Sequence, residues 1–120
     1  MVDISIDGDV LSVDVQGLDK LLAFKGRLEI PLAHVNGAYR DPEVVRDWQR
    51  IGIKAPGTSV PGVLRAGTFF QDGKRIFWDV HNPDNAIAIE LSDEGYDMLI
   101  VEVADPASAA SLIRSATRRA

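Results

Sequence analysis

Residues 64–80 contain a strong β-hairpin signal, which limits the folds open to this chain. Residues 64–71 and 74–80 are rich in aromatic and β-branched side chains, which favour strands. The pair Asp72-Gly73 separates them. An Asp-Gly pair between two such runs is typical of a tight turn between antiparallel strands. The sequence therefore predicts a hairpin over 64–80, and the fold must contain it.

Further stretches alternate apolar with polar residues, the pattern of a strand with one buried face. The first two flank the turn Asp7-Gly8-Asp9 and predict a second hairpin. Residues 97–103 are densely apolar, which predicts a strand that is central in its sheet or covered on both faces. In all, seven or eight antiparallel strands are predicted, the additional ones over 2–7, 11–16, 27–32, 34–40, 86–91 and 97–103.

Two helices are predicted to begin at an Asp-Pro pair, in which Asp would cap the helix and Pro would take its first position. Asp41-Pro42 predicts a short amphipathic helix over 41–51, and Asp105-Pro106 predicts the last helix. One or two helical turns are also expected after Gly17. The last helix is expected to bury one apolar stripe, which consists of Ala109, Leu112, Ile113 and Ala116.

The stretch from Gly52 to Gly62 is rich in glycine and proline, and this composition predicts an ordered loop without regular structure. At 120 residues, with 46% hydrophobic and 26% charged residues, the chain is expected to form one globular domain over 1–120. Because it contains no cysteine, disulfides, zinc knuckles and cysteine nucleophiles are excluded. The predicted class is α+β, with a C-terminal α-helix packed on a curved sheet.

Four short strings resemble the bacterial proteins of unknown function that contain a pleckstrin-homology-like domain. The resemblance implies a curved antiparallel sheet or partly open barrel of about seven strands with a C-terminal α-helix, and it suggests self-assembly into oligomers. It brings no catalytic site. The strings are Ile30-Pro31-Leu32-Ala33-His34-Val35, Ala55-Pro56-Gly57-Thr58 with Pro61-Gly62, Ala66-Gly67-Thr68-Phe69 and Phe77-Trp78-Asp79-Val80.

The net charge of −5 argues against a nucleic-acid partner, which needs a basic surface. The charge is uneven: residues 40–75 hold seven basic and four acidic side chains, so this stretch is +3 and the rest is −8. The acidic turn Asp7-Gly8-Asp9 would repel phosphate, so phosphoinositide membranes are not expected partners. No secretory signal or long apolar run is present, which predicts a cytoplasmic location.

The candidate contact residues for a partner or an anion are Trp48, Arg50, Lys54 and Arg65. Arginine and tryptophan are favoured at interfaces, and the three cations flank the Pro/Gly stretch. Two other interpretations stay open: the cations only keep a rigid loop hydrated, and Trp48, like Trp78, belongs to the core. Residues 52–59 do not form a phosphate loop, because no lysine follows Gly57.

Asp79 and His81 lie two positions apart at a strand end and so share a face, as a metal or acid–base site would need, but no third ligand is evident near them or near His34. No cofactor and no enzymatic activity are therefore expected. The predicted function is a non-catalytic protein-binding or self-assembly module that forms a homo-oligomer or binds an unidentified protein. The alternative is a small-molecule or anion-binding protein, or a minor enzyme, that uses residues 52–65 and the curved sheet.

Overall fold

Nine β-strands and one α-helix form the part of the chain that the computed structural model describes: residues 1–16, 26–40, 53–60, 64–71 and 73–119. The expected α+β class and C-terminal helix are confirmed. In chain order the elements are β1 (Val2–Asp7), β2 (Val10–Val15), β3 (Arg27–Pro31), β4 (Val35–Tyr39), β5 (Ile53–Val60), β6 (Leu64–Gln71), β7 (Lys74–Val80), β8 (Ala86–Leu91), β9 (Met98–Glu102) and α1 (Pro106–Arg119).

β1, β2 and β3 form a three-stranded antiparallel sheet in that order. Gly8, in the turn between β1 and β2, has a φ of 61°, a left-handed conformation that glycine adopts without strain. The predicted alternation is confirmed, because Val2, Val13 and Val15 are buried while Asp3 is exposed. This sheet therefore has one apolar face and one polar face.

The other six strands form a second sheet in the order β4-β8-β9-β7-β6-β5. The prediction of a wholly antiparallel sheet is wrong at one place: β9 lies between β8 and β7 and runs parallel to β7. After β7, residues 81–85 carry the chain to β8, which lies two strand positions away in the sheet. The chain then turns back and forms β9 in the position between β8 and β7. A strand that returns in this way has the same direction as β7.

The two sheets are separate and do not close into a barrel. They share one apolar core with α1. Leu11 of the first sheet, Phe77 and Leu99 of the second, and Ile113 of the helix are all fully buried in it. The helix packs mainly against β4 and also contacts β8 and β1.

A second apolar cluster lies on the opposite face of the six-stranded sheet. It includes Trp78 and Phe69, both fully buried, so the prediction that Trp78 is a core residue is confirmed. In β9, Leu99 belongs to the first cluster and Ile100 to the second. The prediction that this strand is covered on both faces is therefore also confirmed.

Residues 53–60, the described part of the Pro/Gly-rich stretch, form a strand rather than the predicted irregular loop. β5 pairs with β6 at the edge of the sheet, with a shift in register between Lys54 and Gly57. Pro56 falls inside this irregularity. An edge strand tolerates proline where no N–H is needed for the ladder, which is why the Pro/Gly composition does not prevent a strand here.

The capping of α1 is as predicted: Asp105 precedes Pro106 and accepts a hydrogen bond from the backbone N–H of Ser108 at 3.1 Å. The predicted burial of Leu112 is wrong, because 42% of this residue is exposed whereas Ile113 is fully buried. The side chains of consecutive helix residues point in directions that differ by about 100°, so Leu112 and Ile113 lie on different sides of α1. The buried stripe consists of Ala110, Ile113 and Ala116.

Two predicted helical segments, the turns after Gly17 and the helix over 41–51, lie outside the described residues. Within the described ranges no helix is long and apolar enough to cross a membrane.

Candidate functional site: the groove between β1 and α1

The four residues predicted to contact a partner do not form a site in the part of the structure that is described. Trp48 and Arg50 lie outside it. Lys54 is on β5 opposite Phe69, and Arg65 is on β6 opposite Ser59. Arg65 and Phe69 are four positions apart on β6, which places the two cationic positions about 14 Å apart along the strands. The backbone therefore does not bring them together.

Asp79 and His81 have different surroundings. Asp79 is fully buried, and its Oδ2 lies 3.0 Å from the amino group of Met1. His81 is exposed beyond the end of β7, and its backbone N–H donates to Oε1 of Glu102 at 2.8 Å. Within the described ranges no group of three His, Asp or Glu side chains could hold a metal ion.

His34 has a partner that the sequence did not reveal. Its Nδ1 lies 2.5 Å from Oε2 of Glu94, and both side chains are partly buried. The carbonyl oxygen of His34 also accepts a hydrogen bond from the backbone N–H of Ser92. These contacts join the 3₁₀ turn Leu32–His34 to the connection between β8 and β9, so the pair has a structural role.

A groove of about 210 Å³ lies between β1, the residues that follow β9 and the first turns of α1. Its lining is mainly apolar. Leu112, the residue that the sequence assigned to the core, lies at this groove with 42% of its surface exposed. The lining residues are Val2, Asp3, Ile4, Val103, Ala104, Asp105, Ser108, Ala109 and Leu112.

The groove follows from the way its two sides are built. Alternation in β1 puts Ile4, which is half-buried, on the apolar face, and Asp3 on the polar face. On the helix side, Ser108, Ala109 and Leu112 have the spacing i, i+1, i+4, which places them on one side of α1. This side is not the one that carries Ile113 into the core. The helix therefore has a second, partly exposed apolar side that faces β1.

The N-terminus of α1 is fixed by Asp105. Its Oδ1 accepts the Ser108 N–H at 3.1 Å, and its Oδ2 accepts the Ser108 hydroxyl at 2.9 Å. The backbone hydrogen bond and then the hydroxyl lower the pKa of Asp105 below its usual value. The carboxylate thus serves as a helix cap, and its two oxygens are engaged within the helix.

The polar face of the three-stranded sheet is acidic. Oδ1 of Asp14 lies 2.6 Å from Nε of Arg27, and the hydrogen bond and charge of Asp14 raise the pKa of that guanidinium. Glu29 lies 3.5 Å from the same arginine. Five carboxylates against this one guanidinium leave the side chains of residues 1–16 and 26–31 with a formal charge of −4. The carboxylates are Asp3, Asp7, Asp9, Asp14 and Glu29.

Comparisons of this chain with models of protein families, with curated proteins and with solved structures find no match.

Proposed function

We propose that this protein is a non-catalytic protein-binding module and that a segment of its partner docks in the groove between β1 and α1. The observation that carries the proposal is the exposure of Leu112 in an apolar groove beside an edge strand. A partly exposed leucine in a concave apolar site is a suitable contact for an apolar side chain of another protein.

Among the sheet edges in the described ranges, β1 has the features that most favour an added strand. Two open sheets have four edge strands in the described ranges, β1, β3, β4 and β5. β4 packs against α1, β5 contains Pro56 and a register shift, and β3 ends at Pro31. β1 has a regular register over its six residues and contains no proline. A regular edge favours pairing with an extended segment of a partner.

The size of the groove favours a side-chain anchor over a metabolite. Small-molecule sites have volumes of about 300–1,000 Å³, whereas this groove has about 210 Å³. The alternative of a small-molecule or anion site in residues 52–65 has less support, because much of that stretch is an edge strand and the start of β6.

The pleckstrin-homology-like assignment remains part of the proposal. Its support is the packing of two sheets with a C-terminal helix in one core. The parallel pairing of β7 with β9 and the presence of nine strands depart from the expected pattern of about seven antiparallel strands. Self-association through a sheet edge also remains a proposed mode of binding.

Two matched substitutions test the docking groove. Leu112→Asp places a carboxylate in it, and Phe70→Asp makes the same change at a residue that is 46% exposed on β6, outside the groove lining. Peptides selected from a random displayed library on the whole chain are expected to shift the amide resonances of 2–7 and 103–112. They should bind Leu112→Asp at least about tenfold more weakly, because a central apolar contact is lost.

Phe70→Asp should bind the selected peptides like the parent protein. Peptides that shift other amides, or that bind Leu112→Asp as tightly as the parent, would show that the groove is not the docking site. Circular dichroism of both variants checks that the fold is retained.

A further inference from the structure

We propose that the groove takes a cationic, extended segment of another protein, in which lysine or arginine alternates with apolar residues and which adds to the outer edge of β1. This inference rests on the proposed function, because it specifies the chemistry of the partner at the same groove. The supporting observations are the alternation of β1, the acidic polar face of its sheet and the apolar side of α1.

The polar row of β1 consists of Asp3, Ser5 and Asp7, all exposed. In an added strand, the side chains beside this row lie about 4.5–5.5 Å away, a distance at which opposite charges stabilise the pair. Lysine or arginine at every second position of the segment would therefore lie beside Asp3 and Asp7.

The other side chains of the added strand would point to the apolar side of the sheet. On that side β1 presents Ile4 and Ile6, both half-buried, and α1 presents Ala109 and Leu112. An apolar residue of the segment would fill the groove there. A segment that alternates cationic with apolar residues matches both sides of β1 at once, whereas a uniformly basic segment matches only one.

The negative charge of the three-stranded sheet also favours a cationic partner. Asp3 lines the groove, and its register partner on β2 is Asp14. Asp3, Asp14, Asp7, Asp9 and Glu29 carry five negative charges and Arg27 carries one positive charge. The formal charge of the side chains in this part of the chain is therefore −4. A negative surface attracts a cationic segment and raises its rate of association at low salt.

A second copy of the chain is a poorer occupant. If β1 paired with β1 of another copy and both kept Ile4 inward, the row Asp3, Ser5, Asp7 would lie beside the same row of the other copy. Like charges directly opposite in a sheet destabilise the pairing. The acidic face therefore disfavours self-association at this edge and leaves it open to a basic partner.

Three short, capped peptides test the inference on the whole chain. In the first, lysine alternates with leucine. In the second, glutamate alternates with leucine, and the third has the composition of the first with its lysines grouped at one end. Fluorescence anisotropy at low salt measures binding, and amide shifts show where each peptide binds. Only the first is expected to bind well, to shift 2–7 and 103–112, and to weaken as salt is added.

Charge variants show whether Asp3 and Asp7 are responsible. The double variant Asp3→Asn with Asp7→Asn should bind the alternating lysine peptide about fivefold more weakly, the sum of two modest cross-strand charge pairs. Its matched control is Glu90→Gln on β8 with Asp93→Asn in the connection between β8 and β9, which changes the net charge equally at exposed acids away from the groove. The control should bind like the parent, and thermal melts of both confirm folding.

The possible results separate the two proposals. If the glutamate peptide or the grouped peptide binds in the groove as well as the alternating one, the cationic segment is refuted while the docking function stands. If light scattering shows a dimer that Leu112→Asp abolishes, the occupant is a second copy and the inference is wrong. If neither these peptides nor library-selected ones shift the amides of the groove, both proposals fail.

Discussion

Leu112 and Ile113 are neighbours in α1 with opposite surroundings, since 42% of the first is exposed and the second is fully buried. We expect Leu112→Ala to lower the free energy of unfolding by less than about 0.5 kcal/mol, as for a surface change. Ile113→Ala should lower it by about 2–5 kcal/mol, because it leaves a cavity in the core. Urea denaturation measures both. A large loss for Leu112→Ala would mean that the helix packs on the core in a different rotation.

Asp105 makes the stability of α1 depend on pH. Its pKa in the folded protein is lowered from the ordinary value of 3.8, first by the backbone hydrogen bond from Ser108 and then by the Ser108 hydroxyl. A lowered pKa means that the carboxylate stabilises the fold above the ordinary pKa and that this contribution disappears as the pH falls through the folded value. Asp105→Ala should therefore melt at a lower temperature than the parent at pH 7.

The difference in melting temperature between Asp105→Ala and the parent should shrink as the pH is lowered below 3.8. Asp105→Asn is the control, because asparagine also caps a helix but does not titrate. Its difference from the parent should be small at pH 7. A difference for Asp105→Ala that stays constant down to low pH would show that the carboxylate charge has no role in the cap.

Some residue environments could be predicted from the sequence and others could not. The cap at Asp105 was predictable because the Asp-Pro pair and its hydrogen-bond partner lie within three residues. The contact between His34 and Glu94 joins residues 60 positions apart, so no local pattern indicates it. The exposure of Leu112 does not follow from the sequence. The spacing of apolar residues shows which residues share one side of the helix, but not which edge of that side contacts the core.

At the scale of elements, the turn between β6 and β7 depends on the conformation of Gly73, which has a φ of 75°. We expect Gly73→Ala to lower the free energy of unfolding by about 1–2 kcal/mol, because a side chain is strained in this region. Gly37→Ala on β4 is the matched control, since φ there is not in the left-handed range and no atom lies within 4 Å of the added Cβ. Equal effects in thermal or urea melts would contradict the assignment of strain to the turn.

Elements were predictable where turn residues and alternation act over a few positions, as in the hairpin of β1 and β2. The sequence does not indicate β5, because its glycines and prolines favour irregular backbone, whereas an edge strand with a register shift accommodates Pro56. The groove could not be predicted: β1 and α1 were each expected, but they lie about a hundred positions apart in the chain. Only the packing of the complete core makes them neighbours.

At the scale of the whole molecule, we expect the negative charge to keep this protein away from anionic membranes. The net charge is −5, and the first hairpin turns at Gly8 between Asp7 and Asp9. We expect the protein to remain in the supernatant when vesicles that contain phosphoinositides are sedimented at physiological salt, because these carboxylates repel phosphate. Vesicles without phosphoinositides are the control. Salt-sensitive co-sedimentation with the phosphoinositide vesicles would instead favour a membrane-surface role.

The position of β9 beside β7 also has a consequence for how the chain folds. It divides the larger sheet into two antiparallel blocks, β5-β6-β7 and β4-β8-β9, joined along one parallel ladder between Ile76–Asp79 and Met98–Val101. Both blocks contain a hairpin that can close locally, whereas the ladder between them requires both blocks to be present. In pulse-labelled hydrogen exchange during refolding, we expect the β6–β7 amides to be protected before those that bridge this ladder. Until the blocks join, β7 and β9 expose apolar edges that another molecule could pair with, so the yield of refolding should fall as protein concentration rises.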